Sequence, residues 1–194
     1  MQEYKTEKKF DMVVATDLNW AIGYNNELLT HVKEDMKFFQ FVTPSVVIMG
    51  RKTSDSLPKK YLSGRTNIII SRSFEDKPTV ENIDSSTSIV KLNSIDGVLL
   101  YLSNNKSQYK KNIISIIGGR QIYLEFLQRD LIDRVFLTTF YKEFKADTYI
   151  PNLFTLGFKY NFGHPWHVVT NYEKPTKASN NDIEFTIHTL IKNN

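Results

Sequence analysis

The hydrophobic positions of this chain fall into short continuous runs separated by stretches with helical spacing. Runs without polar alternation are typical of strands that are buried on both faces of a parallel sheet. The clearest runs span residues 10–15, 46–49, 67–71, 113–117 and 134–139. The tail from Phe158 to Ile191 alternates apolar and polar residues in places, as in 184–188, and predicts antiparallel strands.

Helical spacing lies between several of these runs. One apolar stripe precedes Pro44, which would end a helix, and another follows Gly118-Gly119. Ser94 is a predicted N-cap for a helix that reaches about Leu102. The two stripes consist of Val32, Met36, Phe39 and Thr43, and of Ile122, Tyr123 and Phe126. Strands and helices in alternation, closed by a hairpin, predict one α/β domain with a mostly parallel sheet and an antiparallel edge.

The segments between these elements are polar. Residues 72–88 predict irregular structure with short ordered pieces, and residues 104–111 predict a solvated connection. We assign residues 10–194 to the domain and residues 1–9 to a polar N-terminal extension. This extension lacks the apolar segment of a secretory signal.

Composition narrows the classes of function. The chain is 41% apolar and 24% charged, as in an ordinary globular protein, and no apolar run is long enough to span a membrane. It has no Cys, which excludes disulfides, thiolate metal ligands and a Cys nucleophile, and which suits a reducing compartment. We therefore expect a cytoplasmic protein with no membrane partner.

The charges are dispersed along the chain. The net charge is +4, from 25 basic and 21 acidic residues, and no Lys/Arg-rich block occurs, so we expect no nucleic-acid partner. A modest positive balance suits a small polyanionic ligand equally well. The four His residues lack zinc spacing, so no metal site is predicted, and His164 and His167 are interpreted as strand and turn residues.

A candidate phosphate site follows the run at residues 46–49. Gly50 ends this run, and Arg51, Lys52 and Thr53 then begin a possible helix. The free N–H groups and the dipole of a helix N-terminus favour an anion. Taken alone, these residues fit a strand, a turn and solvated charge equally well.

Two further strand ends carry similar residues. Ser71-Arg72 follows one predicted strand and Gly118-Gly119 follows another. Ligands of open α/β sheets bind outside the carboxyl ends of the strands, so these three strand ends together indicate an anionic, nucleotide-like ligand. The three-glycine dinucleotide fingerprint is absent.

Asp35 is the candidate acid. On an ideal helix it lies three residues after Val32 and four before Phe39, at the border of the apolar stripe. A desolvated carboxylate there would have a raised proton affinity and could hold or deliver a proton. The spacing also fits a plain role for Glu34 and Asp35 in complementing the helix dipole.

Eight short segments, in their order and spacing, match a known family. They are Ile22-Gly23 with Leu28, Asp35 with Phe39, residues 47–53, residues 62–65, residues 67–72, Ile117-Gly118-Gly119 with Ile122-Tyr123, Leu137-Thr138, and Asp147-Thr148 with Pro151. Through them the sequence resembles dihydrofolate reductase from Met12 to about Leu190. The resemblance implies a twisted, eight-stranded, mostly parallel sheet with flanking helices and an antiparallel C-terminal strand. It also implies a monomer that reduces 7,8-dihydrofolate to tetrahydrofolate by hydride transfer from NADPH, in one-carbon and thymidylate metabolism.

The resemblance assigns a substrate pocket. Asp35, Thr138 and Thr30 would be the catalytic group, with Asp35 binding the pterin and supporting protonation of N5, and Thr138 donating a hydrogen bond to Asp35. Arg65 would pair with the α-carboxylate of the glutamate tail, a bidentate geometry that suits Arg. The substrate-binding residues would be Val13, Leu28, Asp35, Met36, Phe39, Leu57, Leu62, Arg65 and Ile117.

The resemblance also assigns an NADPH site. Ala15 and Ile22 would contact the nicotinamide end, and Ser71 and Arg72 would bind the 2′-phosphate. Gly118-Gly119 would carry a cis peptide bond and allow the backbone to approach the cofactor. The cofactor-binding residues would be Ala15, Ile22, Gly23, Gly50, Arg51, Lys52, Thr53, Ser71, Arg72, Ile117, Gly118, Gly119, Arg120, Gln121, Ile122, Tyr123 and Thr148.

One segment, from Gly23 to Leu28, would form a mobile lid that Asp147 braces from a neighbouring loop. The sequence departs from the family next to this lid. The family usually has Leu-Pro-Trp where this chain has Leu28, Leu29 and Thr30. The smaller Thr30 implies a wider pocket mouth and weaker binding or turnover of dihydrofolate, which a Thr30→Trp variant would reverse.

Two other functions remain open from the sequence. One is a catalytically weak or silent binding or structural protein on the same fold, which the departures at the lid would allow. The other is a reductase of another pterin or of a pyrimidine, against which Arg65 argues because it has little use without a glutamate tail.

Overall fold

The sheet is built from strands whose bounds follow the apolar runs closely. In this computed structural model, which describes residues 10–109, 112–161 and 174–192, twelve strands occur. They are β1 (Phe10–Thr16), β2 (Ala21–Gly23), β3 (Val46–Gly50), β4 (Thr66–Ile70), β5 (Thr79–Asn82), β6 (Ser88–Leu92), β7 (Ile114–Gly118), β8 (Ile132–Phe140), β9 (Thr148–Tyr149), β10 (Phe158–Tyr160), β11 (Thr176–Lys177) and β12 (Glu184–Lys192). The helices are α1 (Lys33–Val42), α2 (Arg51–Ser56), α3 (Ile95–Asn104), α4 (Lys106–Tyr109) and α5 (Arg120–Gln128), with a 3₁₀ turn at Leu153–Leu156.

Six parallel strands form the centre of the main sheet, in the order β8-β1-β7-β3-β4-β6. β12 pairs antiparallel with β8, and β10 and β11 pair antiparallel with β12. The predicted α/β fold with a mostly parallel sheet and an antiparallel C-terminal strand is confirmed. The described sheet has ten strands rather than eight, because the exposed β5 and the two-residue β11 add to it. Neither has an apolar run that the sequence could reveal.

The central strands are buried because helices and loops cover both faces of the sheet. Along β3, Val46 and Ile48 belong to a core cluster that includes Phe126 of α5, and Val47 and Met49 belong to a separate cluster. All four side chains are fully buried. Their continuous apolar run is therefore explained by contact on both faces.

α1 packs differently from the predicted stripe. Phe38 and Val42 are its buried residues, and they pack with Phe136 of β8. Met36 and Phe39 are only partly buried. The predicted stripe is thus fully buried at Val32 and Thr43 but only partly buried at Met36 and Phe39, and Phe39 still packs against the cluster of Phe38 and Phe136.

One of the polar segments also differs from expectation. The predicted connection at residues 104–111 contains α4, whose Tyr109 is buried with its hydroxyl 3.3 Å from that of Tyr101. Ser94 caps α3 as predicted, accepting a hydrogen bond from Gly97 N–H at 3.1 Å. The N-terminal extension, His164 and His167 lie outside the described residues.

A buried ion pair joins the amino-terminal ends of β1 and β8. Arg134 donates from Nε and Nη2 to the two carboxylate oxygens of Asp11, at 3.0 and 2.6 Å. The Asp11 side chain is 8% exposed and the Arg134 side chain 22% exposed. The hydrogen bonds to Asp11 raise the pKa of Arg134.

We expect Asp11→Asn to lower the free energy of unfolding by about 3 kcal/mol, because it leaves a half-buried guanidinium without its charged partner. Urea unfolding measures the change. Glu81→Gln is the matched control, since its ion pair with Lys91 is exposed and should contribute less than about 0.5 kcal/mol. Equal losses in the two variants would contradict the prediction.

Candidate active site

The predicted acid and its hydroxyl partner meet as expected. Thr138 Oγ1, on β8, donates a hydrogen bond of 2.6 Å to Asp35 Oδ1 in the first turn of α1. Thr138 is fully buried, and it is next to Ala15 in the register between β8 and β1. The packing of α1 on β8 through Phe38 and Phe136, whose ring centroids are 5.8 Å apart, holds the two elements together.

The carboxyl of Asp35 is poorly solvated. Burial raises its pKa from an ordinary value near 3.8 to about 6, and the hydrogen bond from Thr138 offsets only part of this rise. Burial also raises the pKa of Tyr123, and the charge of Asp35 adds to that effect. A carboxyl with a pKa near 6 can exchange a proton close to neutral pH, as a general acid or base requires.

Most of the predicted apolar site residues are buried or partly buried, and they belong to two clusters. Val13, Ala15 and Phe39 pack in the cluster that also holds Phe38 of α1. Leu57, Leu62 and Ile117 pack against the cluster of Met49 and Ile69. Met36 is half-buried on α1. The structure therefore divides these predicted site residues between two clusters.

Arg65 is fixed by backbone carbonyl groups near the end of α1. Its Nε donates to Thr43 O, its Nη1 to Ser63 O at 2.9 Å and its Nη2 to Gln40 O at 3.4 Å. Within the part of the chain that the structure describes, no carboxylate forms an ion pair with it. Partial burial lowers its pKa. The guanidinium is thus oriented and partly desolvated, with its charge available to a ligand.

A cleft of about 520 Å³ opens at the carboxyl ends of four adjacent parallel strands, β7, β3, β4 and β6. Ten of the predicted cofactor-binding residues line it: Gly50, Arg51, Lys52, Thr53, Ser71, Arg72, Gly119, Arg120, Gln121 and Ile122. The predicted strand ends therefore do converge on one edge of the sheet. Ligands of open α/β sheets bind at this edge.

The cleft favours an anion. Arg51 pairs with Asp55 at 2.8 Å, whereas Lys52 and Arg72 have no ion-pair partner among residues 10–109, 112–161 and 174–192. α5 begins at the cleft after Gly119 without a side-chain cap, so the N–H groups of its first turn face the cleft without an intrahelical acceptor. Glu125, the acid that lines the cleft, is neutralised by Arg129 at 3.0 Å.

Small residues let the backbone approach the cleft closely. The Gly118-Gly119 peptide bond is cis, as predicted. A Cβ on Gly119 would lie 3.1 Å from Thr53 Oγ1, and a Cβ on Gly50 would lie 3.2 Å from Ile122 Cγ1. Tyr123 is buried beneath Gly118 and donates a 2.7 Å hydrogen bond to Val13 O, so it supports the site from behind instead of lining the cleft.

The predicted lid is a tight hairpin. Tyr24 and Glu27 exchange two backbone hydrogen bonds around Asn25 and Asn26, which have φ values of 51° and 63°. Positive φ at both central residues is typical of a type I′ turn. A Cβ on Gly23 would lie 2.8 Å from Glu27 O, so this hairpin requires glycine at its base.

Asp147 holds this hairpin, as predicted. Its Oδ2 accepts a 2.8 Å hydrogen bond from Asn25 N–H, and this bond lowers its pKa. Its backbone N–H donates to Gly23 O at 3.2 Å. Thr148 lies next to Gly23 in the short β2–β9 sheet and donates from Oγ1 to Asp147 at 2.7 Å.

Three other predicted site residues are only partly buried or are exposed. Ile22 is partly buried against the main core beside Trp20, and Leu28 is 55% exposed. Thr30 is half-buried. Asp35 and Thr138 are joined by a hydrogen bond, and no hydrogen bond between described residues joins Thr30 to either of them.

The sequence interpretation missed part of the cleft. Ile70, Ser73, Asn93, Ser94 and Ile95 also line it. Asn93 and Ser94 follow β6 just as Ser71 follows β4, so the same rule for strand ends would have found them. The apolar run of β6 is short and its neighbours are polar, so the end of this strand is hard to recognise in the sequence.

Two other kinds of site are absent from the described residues. No group of three or more His, Asp or Glu side chains there could hold a metal ion. No helix in those parts of the chain is both long enough and apolar enough to cross a membrane.

Comparisons with known proteins agree with this geometry. A family model described as dihydrofolate reductase matches residues 9–192. The chain is 30% identical over 161 residues to a dihydrofolate reductase of Pneumocystis carinii, covering 75% of each chain. It is 29% identical over 155 residues to one of Schistosoma mansoni, covering 75% of this chain and 79% of the relative.

Longer relatives match as well. The chain is 37% identical over 152 residues to a bifunctional dihydrofolate reductase-thymidylate synthase of Paramecium tetraurelia. This match covers 77% of the present chain but 30% of the relative. The chain thus spans about a third of such bifunctional proteins.

We expect Asp35→Asn to raise the free energy of unfolding at pH 8, with a gain that shrinks as the pH is lowered to 4. The pKa of Asp35 in the folded protein is above its ordinary value, so between about pH 4 and pH 6 the folded state binds more protons than the unfolded chain. Its contribution to stability is then greatest at low pH and is lost as the pH rises through 6. Asn carries no charge and avoids that loss. Thermal unfolding from pH 4 to pH 8 measures this, and a pH-independent difference would contradict it.

Proposed function

This chain belongs to the dihydrofolate reductase family, and we propose that it reduces 7,8-dihydrofolate to 5,6,7,8-tetrahydrofolate with NADPH in the cytoplasm, as a monomer. The observation that carries the proposal is the hydrogen-bonded pair of Thr138 and Asp35. Arg65, which backbone carbonyl groups near the end of α1 hold in place, is the cation of this proposal. One acid for the pterin and one cation for the glutamate tail match the two charged ends of a folate.

Asp35 performs the proton chemistry in this proposal. Its carboxylate accepts hydrogen bonds from the exocyclic amino group and a ring nitrogen of the pterin, and supports protonation of N5 through water. Thr138 keeps one carboxylate oxygen oriented by donating to it. A pKa of about 6 lets Asp35 hold a proton for part of the time near neutral pH. Phe39, Leu57 and Leu62 pack against the rings and exclude water.

The residues of the cleft at the carboxyl ends of β7, β3, β4 and β6 fit NADPH, which would supply the hydride when bound. Arg51, Lys52 and Thr53 would hold the phosphates with the first turn of α5, and Ser71 and Arg72 would hold the 2′-phosphate. A Cβ at residue 119 would lie 3.1 Å from Thr53 Oγ1. Glycine therefore leaves the protein backbone free to approach the cofactor there. Ala15 and Ile22 would contact the nicotinamide end.

Two other candidate functions are weaker. A reductase of another pterin or a pyrimidine would leave the orientation of Arg65 by three carbonyl groups without a purpose. A binding or structural protein without turnover would not need the desolvated carboxyl of Asp35. Neither alternative is favoured by an observation of its own.

The test is NADPH oxidation followed by absorbance, with and without dihydrofolate. We expect turnover that depends on dihydrofolate, and we expect Asp35→Asn to lower it by orders of magnitude near pH 7 while NADPH affinity stays within about twofold. Asp133→Asn, an exposed acid at the other end of β8, is the control and should retain full activity. Binding of NADPH without turnover in the unaltered protein would sink the proposal.

We expect Arg72→Ala to weaken NADPH binding by roughly tenfold to a hundredfold and to leave NADH binding unchanged. A hydrogen bond to a charged group contributes about 1.5–3 kcal/mol, and the 2′-phosphate is the group that NADH lacks. Titration of the protein with each nucleotide measures the two affinities. Lys159→Ala, which removes an exposed cation from β10 at the far edge of the sheet, is the control. An equal loss for both nucleotides would contradict the assignment of Arg72.

A further inference from the structure

Asp17 is a buried carboxylate that the proposed chemistry does not use. It follows β1 directly, at the point where the chain leaves the sheet towards the lid hairpin, and it is 2% exposed. Within the described parts of the chain, no basic side chain forms an ion pair with it. A buried carboxylate requires compensation from other groups.

Three backbone N–H groups provide this compensation. Asp17 Oδ1 accepts hydrogen bonds from Asn19 N–H at 2.8 Å and from Ala21 N–H at 2.9 Å. Its Oδ2 accepts one from Phe144 N–H at 3.2 Å. A carboxylate has enough acceptor positions for three such donors and is itself no donor, so it is suited to this role.

These bonds connect three segments of the chain. Asp17 follows the end of β1, which carries Ala15, and its bond to Ala21 fixes the start of β2, which carries Ile22. The bond to Phe144 reaches the loop after β8, 127 residues away in the chain. The backbone supports the same turn, because Asp17 N–H donates to Ala21 O at 3.1 Å.

The loop after β8 therefore holds the lid at two places. Phe144 N–H donates to Asp17 inside the protein, and it thereby holds residues 17–22, which we call the stem of the lid. Asp147, three residues later, binds the tip through Asn25, at the surface. The stem is further fixed by Phe144 itself, whose ring packs on Phe140 of β8 with centroids 6.1 Å apart.

We propose that Asp17 is a positioning residue that sets the lid stem, and with it Ile22, against the nicotinamide end of the cofactor. The proposal rests on the proposed function for the identity of that cofactor. It assigns Asp17 no contact with substrate or cofactor: the carboxylate acts through the backbone of residues 19–22 and through Phe144.

Two variants separate the bonds of Asp17. Asp17→Asn keeps the shape and an acceptor for the turn, but its amide N–H₂ group would face Phe144 N–H, so that cross-link is lost. Asp17→Ser keeps a short acceptor for Asn19 N–H but does not extend to Phe144, and it serves where the Asn variant fails to fold. Asp11→Asn is the matched control, since it makes the same change at a buried acid near the start of β1, whereas Asp17 follows the end of that strand beside the lid.

The experiment combines hydrogen exchange with NADPH titration. In Asp17→Asn we expect amide exchange of residues 19–28 to become at least tenfold faster, and the Kd for NADPH to rise roughly tenfold, about the loss of one hydrogen bond to a charged group. The KM for dihydrofolate should change less than twofold. In Asp11→Asn, exchange at the lid and the Kd should stay within twofold of the unaltered protein, whatever the loss of thermal stability.

Two results would overturn the proposal. One is a similar profile in Asp17→Asn and Asp11→Asn, since Asp17 would then act on stability alone. The other is a faster exchange at the lid with unchanged NADPH affinity, since the stem would then not matter to the cofactor. Failure of the proposed function would be seen separately, as absence of dihydrofolate-dependent turnover in the unaltered protein.

Discussion

The parallel pairing of β1 between β7 and β8 is the constraint on which the rest of the structure depends. Its register places Ala15 beside Thr138, so the end of the strand that leads into the lid lies next to the hydroxyl that orients Asp35. On its other side, β1 aligns Met12 with Ile116, two residues before the cis Gly118-Gly119 peptide. A slip of one residue would turn every side chain of β1 to the opposite face and separate these groups.

The protein stabilises three buried or partly buried carboxylates in three different ways. Asp11 has a bidentate Arg134, Asp17 has three backbone N–H groups, and Asp35 has a single hydroxyl. Burial raises the pKa of Asp35 to a value that suits proton transfer. The single hydrogen bond from Thr138 offsets only part of this rise.

The lid and the anion cleft are built from the same two kinds of feature, strand ends and turns. The loops after β3, β4, β6 and β7 line the cleft because four parallel strands end at one edge. The loop after β8 begins at that edge too, but it binds the lid through Phe144 and Asp147. One edge of the sheet therefore supplies both the residues that line the anion cleft and the groups that hold the hairpin of the predicted lid.

Sequence by itself determined the features that depend on near neighbours in the chain. Apolar runs predicted the central strands, Ser94 predicted a helix cap, and the order of the motifs predicted the family, with Asp35 and Thr138 as its pair. The tertiary structure alone decided which neighbours distant residues would have. Periodicity does not say how deeply or against what a residue is buried, so it gave Met36 and Phe39 the same place as Val32 and Thr43, although both are only partly buried. For the same reason, periodicity could not show that Asn93 and Arg51 line the same cleft. Nor could it show that Asp17 accepts a hydrogen bond from a backbone N–H 127 residues away. Those contacts arise only when the packed sheet brings its strand ends together.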